Sequence, residues 1–323
     1  MAVVVAGGRI VNDYIARRKD MSVPIAYITI IVIWSTTPLG IKWSGEGVGY
    51  EFGVAARMLI GLAVLLLYMR VRKIKLTWDH QSRLVYLTGG LSMFLAMASV
   101  YWSAQYIPSG WISVIFGISP IMTGLLAIAI LNQASFSEGR LAGMLIGLSG
   151  LCVIFLEGMN LREAAWLGVL GVIFSATAQP AGAVILKKLQ PSIPALAITS
   201  GSLIVATPLF ILNWLMFGPS LPAQVQTHTY AAIAYLAIAG TGIGFPLYFY
   251  VLKHLSAGHV SLITLITPVT ALLLGTWFNG EIITSRVWLG TLLIMLGLLV
   301  HEQKKLSRLL ARRQQEKRVG AGP

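Results

Sequence analysis

Residues 101–121 read YWSAQYIPSGWISVIFGISPI, and residues 249–269 read FYVLKHLSAGHVSLITLITPV. Each is a long apolar run with a small-residue entry and a proline near its middle. At an offset of 148, Gly110 falls on Gly258, Ser113 on Ser261 and Pro120 on Pro268. One residue slips after the proline. At an offset of 147, Asn132 falls on Asn279, Gly143 on Gly290 and Gly150 on Gly297. A single matched glycine means little; an ordered series inside matched apolar runs points to two copies of one unit.

Similar runs fill the rest of the chain. Crossing about 30 Å of hydrocarbon takes roughly 20 mainly apolar residues. Ten candidates lie at about 23–43, 52–69, 84–103, 109–131, 139–157, 165–186, 194–217, 229–251, 257–278 and 286–301. Of the 323 residues, 56% are hydrophobic and 11% charged, against about 25% charged in ordinary soluble domains. A soluble surface cannot be built from so few charges, whereas a lipid-facing surface needs none. Backbone at membrane depth must satisfy its own polar groups, so the runs read as helices. The expected fold is all-α: a polytopic membrane protein with ten transmembrane helices in two five-helix repeats. Five is odd, so the second repeat enters from the opposite side and the repeats are inverted. The expected units are a cytoplasmic N-terminal segment (1–22), the two repeats (23–157 and 158–301) and a basic cytoplasmic tail (302–323).

The net charge is +13, a value that would suit nucleic acid were the basic residues not in short clusters between apolar runs. With the N-terminus in the cytoplasm, 20 of the 24 Lys and Arg residues fall on the inner side, as the positive-inside rule requires. Both termini are then cytoplasmic in a multi-pass cell membrane protein, most simply of a bacterial inner membrane. The N-terminal order is apolar before basic (Arg17, Arg18, Lys19), the reverse of a secretory signal, so the first span is expected to direct insertion. The carboxylates fall at span ends or in loops: Glu46 and Glu51 in one outer loop, Glu157 and Glu163 in another. Cys152 stands alone, which excludes an intrachain disulfide and a CxxC metal pair; it reads as a small core residue. No metal or cofactor is expected.

The interior polar, aromatic and proline positions are the candidate site. Trp34, Tyr101, Trp102 and Tyr248 supply rings and hydrogen-bonding groups for an organic solute, with Trp102 also placed for an interfacial belt. Thr36, Gln179 and Thr264 are polar inside spans, where an unsatisfied group is costly. Pro38, Pro120, Pro180 and Pro268 each free a carbonyl and bend a helix. Lys42 and Arg57 are placed at the outer ends of helices 1 and 2. They either snorkel to the interface or form an electropositive vestibule for a carboxylate-bearing solute. His259 and Glu281 are the groups nearest to a proton relay. Gly139, Gly143 and Gly147 make a small-residue ridge for close helix approach. Ser149 within Gly147–Gly150 also fits a GxSG pattern, but it lies in that ridge.

The run HLSAGHVSLITLITPVTALLLGTWFNGEIITSRVWLGTLLIMLGLLV (254–300) resembles the EamA family of the drug/metabolite transporter superfamily. Ala257–Gly258, Pro268, Gly280–Glu281, Gly290 and Gly297 carry the likeness, joined by SGWISVIFGISPIMTGLLA and IWSTTPLGIKW in the first half. The acidic position of Glu281 is Ala134 in the first repeat. The resemblance implies ten spans in two repeats and transport of amino acids or similar metabolites. It also implies a central cavity lined by helices 1, 3, 4, 6, 8 and 9, with helices 5 and 10 peripheral. Export by alternating access is the expected function, with a membrane-embedded enzyme or a non-transporting scaffold or sensor as the rivals. The expected partners are a small-molecule solute and the lipid bilayer, with homodimerisation left open.

Overall fold

A computed structural model describes residues 23–132, 138–161, 164–189, 193–218, 225–254 and 257–301. All of the regular structure among them is helical. In order these are α1 (Val23–Ser44), α2 (Tyr50–Val71), α3 (His80–Ser103), α4 (Ser109–Phe116), α5 (Ser119–Leu131), α6 (Glu138–Leu161), α7 (Ala165–Leu189) and α8 (Ala195–Phe217). Then come α9 (Thr227–Tyr235), a π-helix (Leu236–Gly244), α10 (Phe245–His254), α11 (Ala257–Asn279) and α12 (Ser285–His301). Among the described residues eight helices are long and apolar enough to cross a membrane, counting Ser109–Leu131 and Thr227–Tyr248 as one each. Leu67, Val71, Phe174, Leu215, Met216 and Trp277 are all more than half exposed. Water would not tolerate so much exposed apolar surface, and lipid does. The chain is a multi-pass membrane protein.

Two of the expected spans are not simple helices. The helix-4 run breaks at Gly117–Ile118, and Pro120 opens α5, where a missing N–H costs nothing. The helix-8 run changes from α to π at Leu236 and back at Phe245. Pro246 lacks an N–H and its ring excludes the carbonyl four residues back. Gly240, Gly242 and Gly244 offer no side chains to oppose the wider turn. Pro38, Pro180 and Pro268 instead lie inside continuous helices. The candidate hinges thus divide into one break and three absorbed prolines.

The helices pack through small residues. On α3 and α7, Ser99 Oγ donates to the Gly171 carbonyl and Ser175 Oγ to the Ala96 carbonyl, each at 2.7 Å. The main core joins α2, α3, α4, α7 and α8 around Met58, Tyr101, Trp111, Val172 and Phe210. A second cluster joins α1, α10 and α11 through Ala26, Ile30, Leu247, Val251 and Ile263. The glycine ridge of α6 meets α12 backbone to backbone. A Cβ on Gly297 would lie 2.6 Å from the Gly143 carbonyl oxygen, and one on Gly150 would lie 2.6 Å from the Gly290 carbonyl oxygen. Because 143 meets 297 while 150 meets 290, the two helices cross antiparallel.

Three expectations fail here. Glu51 lies in the opening turn of α2 rather than in a loop and is only 7% exposed. Cys152 is exposed rather than in the core, because it lies on the face of α6 away from that glycine contact. Glu157 lies within α6 rather than in a loop, only 6% exposed, and pairs with Arg286 Nη1 at 3.2 Å. The bound cation lets a carboxylate remain inside the helix.

Candidate functional site

Arg57 is the eighth of the 22 residues of α2, about 10 Å in from the helix start at 1.5 Å per residue. It is only 2% exposed and does not snorkel: the segment before α2 folds over the helix end and the guanidinium turns inward. Its Nε donates to Thr241 Oγ1 at 3.1 Å and its Nη1 to the Tyr101 hydroxyl at 3.3 Å. Its central carbon is 6.0 Å from the Tyr101 ring centroid. Tyr101 is fully buried, as is Thr241 on the π-helix. Gly61 brings α2 close enough for this contact, since a Cβ there would meet Thr241 Cγ2 at 2.7 Å. Among the described residues the ion pairs are Glu46–His228 and Glu157–Arg286, and no carboxylate neutralises Arg57. A buried, unpaired cation within the membrane is costly, which makes Arg57 a candidate position.

Trp34, the twelfth residue of α1, faces Tyr248 of α10 with ring centroids 5.0 Å apart. Thr36 Oγ1 bonds the Val32 carbonyl at 2.9 Å and the Tyr235 hydroxyl. Ser35 Oγ bonds Thr270 Oγ1 at 2.6 Å, tying α1 to α11. The structure thus joins Arg57 to Tyr101 and Thr241, Trp34 to Tyr248, and Thr36 to Tyr235, three contacts spread along α1, α2, α3 and helix 8. The helix-2 contribution departs from the lining implied by the resemblance. Trp102 belongs elsewhere: its ring packs against Tyr106 at 4.9 Å and against α7 at Gly171. Gln179 is exposed on α7. At 100° per residue it lies opposite the exposed apolar face of Trp166, Leu170 and Phe174. Thr264 and His259 are on α11, but their side chains lie outside the described residues. Thr241, Ser35, Thr270 and Tyr235 were missed by sequence reasoning. Thr241 had a usable signal, a hydroxyl in the glycine-rich stretch before Pro246.

One end of the bundle is knitted together by polar contacts. Glu281 Oε1 accepts from the Ser109 amide at 2.8 Å and from Asn279 Nδ2 at 2.9 Å, and Oε2 accepts from the Gly110 amide at 3.2 Å. Its carboxylate caps the N-terminus of α4, where free N–H groups and the helix dipole favour a negative charge. Asn279 Oδ1 in turn accepts from Trp43 Nε1 at 2.9 Å. Lys42 Nζ donates to the Ile107 carbonyl at 3.2 Å, and Glu46 Oε2 meets His228 Nε2 at 2.7 Å. Glu281 and Lys42 are therefore placed as fasteners of this end, away from Arg57.

The family model for EamA-like transporters matches residues 21–156 and again 166–301. The chain belongs to the EamA-like transporter family. Its two matched segments are the two repeats read from the glycine and proline series. The chain is 24% identical over 283 residues to an uncharacterized transporter, YoaV, of Bacillus subtilis, covering 87% of this chain and 97% of that one. It is 23% identical to a probable terminal-alkyne amino-acid exporter of Streptantibioticus cattleyicolor, covering 88% and 94%. An uncharacterized inner membrane transporter, YedA, of Escherichia coli is 24% identical over 82% of this chain and 85% of its own length. A solved crystal structure superposes with a TM-score of 0.64 at 21% identity, over 90% of this chain and 99% of that one, so the fold is shared.

Proposed function

We propose that this protein carries a small organic solute across a bacterial inner membrane, in the export direction, by alternating access between two inverted five-helix halves. The eight spans plus α11 and α12 make ten, divided as 23–157 and 158–301, with residues 1–22 and the tail 302–323 in the cytoplasm. One observation carries the reading. The α6–α12 contacts Gly143·Gly297 and Gly150·Gly290 exchange with each other when each glycine is replaced by its repeat counterpart. That is the signature of a two-fold axis in the membrane plane, and halves so related can swap inward- and outward-facing shapes around a shared site. The fasteners around Glu281, Asn279 and Trp43 fit a closed outer gate. Gln179, exposed on the face of α7 opposite its apolar exposed face, fits a cavity open at the other end. Export is favoured by the exporter among the relatives. Among the described residues no carboxylate pairs with Arg57 to relay a proton, which favours facilitated diffusion or exchange.

Counterflow into proteoliposomes preloaded with a mixture of amino acids and organic acids tests the carrier. Saturable accumulation of labelled substrate is expected, and its absence for every compound in the panel would refute the reading. Orientation is tested in a Cys152→Ala background: Gln226→Cys should react with an impermeant maleimide from outside, and Lys75→Cys should not.

A further inference from the structure

Resting on the carrier reading above, we infer that Arg57, Tyr101 and Thr241, with the bare backbone of Gly240, form the binding site for the carboxylate of an organic monoanion with an apolar body. The guanidinium has five N–H donors. Two of its nitrogens have protein partners, Nε with Thr241 and Nη1 with Tyr101. Nη2 instead points at Gly240, where an added Cβ would lie 3.1 Å from it. With glycine at 240, Nη2 faces bare backbone rather than a side chain, and the fork matches a carboxylate in geometry. Both hydroxyls lie on the flanks, holding the cation in place without neutralising it.

The packing of the fold does not demand a cation here. The helix of the second half that corresponds to α2 is α8, and its run ALAITSGSLIVATPLFILNWLMF holds no Lys or Arg. On it Val205 packs into Gly90 of α3, with 2.6 Å from its Cβ to a Cβ placed on Gly90. A helix without a cation serves in one half, so the charge in the other answers a ligand. Among the described residues no second cation is placed beside it, since Lys42 reaches the Ile107 carbonyl instead. A lone guanidinium suits a monoanionic carboxylate better than a phosphate dianion. Tyr248 lies seven residues beyond Thr241 on helix 8, about 10 Å at 1.5 Å per residue, and with Trp34 it offers an aromatic wall to the body of the solute. The site as described holds no acid for an ammonium group, so the amine of an amino acid is not required for binding.

The test uses the full-length protein in nanodiscs and in proteoliposomes, with 3-phenylpropionate, 3-phenylpropionamide, chloride and inorganic phosphate as probes. The acid should raise the melting temperature and undergo counterflow, while the amide and the two inorganic ions do neither. Arg57→Gln should weaken acid binding at least tenfold, and Arg57→Lys should retain part of it. Gly240→Ala keeps the guanidinium and fills the space beside Nη2; it should fold and also lose at least tenfold. Equal binding of acid and amide would overturn the proposal, as would stabilisation by chloride or phosphate alone, or unchanged acid affinity in Gly240→Ala. Acid-specific binding without counterflow of any solute would leave the site standing and remove the carrier. Counterflow of amides and amines with no acid binding would do the reverse.

Discussion

Replacing Gly150 with alanine probes the crossing of α6 and α12 directly. The new Cβ would lie 2.6 Å from the Gly290 carbonyl oxygen, 2.8 Å from Leu293 Cβ and 2.9 Å from the Ile294 amide nitrogen. Comfortable contacts between such atoms lie near about 3.5 Å, so the helices must part by somewhat under ~1 Å. No change of rotamer relieves the clash, because the nearest obstructing atom is backbone. Overpacking of this kind costs about 1–3 kcal/mol. Gly290→Ala would meet Ile154 Cγ1 at 2.6 Å and the Gly150 carbonyl oxygen at 2.9 Å. Once one substitution has parted the helices, the other finds room. The double variant should therefore lose less than the sum of the singles, with a coupling of about 0.5–3 kcal/mol. Ser149→Ala, on the exposed face of the same helix, is the control and should stay within ~0.5 kcal/mol. Equilibrium unfolding of the detergent-solubilised protein, followed by tryptophan fluorescence, measures all four variants. A Gly150→Ala protein as stable as the control, or strict additivity of the pair, would refute the crossing.

Glu281→Ala should destabilise by about 0.5–2 kcal/mol through loss of the α4 cap, with Glu281→Gln intermediate; equal melting temperatures for all three proteins would exclude the capping role. Thr241→Val and Tyr101→Phe each strip one hydrogen bond from a buried guanidinium and should cost about 1–3 kcal/mol, read in the same unfolding assay. Trp34→Ala should slow counterflow while leaving insertion and melting near wild type, and a wild-type rate would remove Trp34 from the site. Asp79 caps α3, and its hydrogen bonds from the Ser82 side chain and amide hold its carboxyl below the usual range. A lowered folded value stabilises above the ordinary pKa near ~3.9 and is lost as pH falls through the folded value. The melting-temperature gap between wild type and Asp79→Asn should therefore be open at neutral pH and close as the pH falls below the ordinary carboxylate range; a gap independent of pH would contradict this.

The helices and the helix-crossing ridge were legible because each depends on near neighbours in sequence, and the repeat because its glycines and prolines recur in the same order in both halves. Apolar runs set the spans, and Gly139, Gly143 and Gly147 recur on one helix face, to which the structure adds the contact of Gly150 with Gly290. The depth of Arg57 was not legible. A cation eight residues into a span reads as an interfacial one until the preceding segment is known to fold over that end. The cap made by Glu281 was hidden for a related reason: its partners, Ser109 and Gly110, are more than 170 residues away. The π-helix was concealed because Pro246 and three glycines permit a kink, a break or a wider turn alike, and packing against α1 and α2 selects among them. Cys152 was misplaced because a uniformly apolar helix does not announce which side meets lipid.

The α6–α12 crossing also bears on how such a chain could arise. One and the same contact is made twice, each time between a glycine of the 143 type and one of the 150 type. Two identical half-length polypeptides, packed antiparallel about a two-fold axis, would make it identically, and a single gene change would alter both copies together. Joining the halves in one polypeptide ends that obligation. The run of α8 can do without a cation while α2 keeps Arg57, so this pair of helices holds one cation where a pair of identical subunits would have had to bury two.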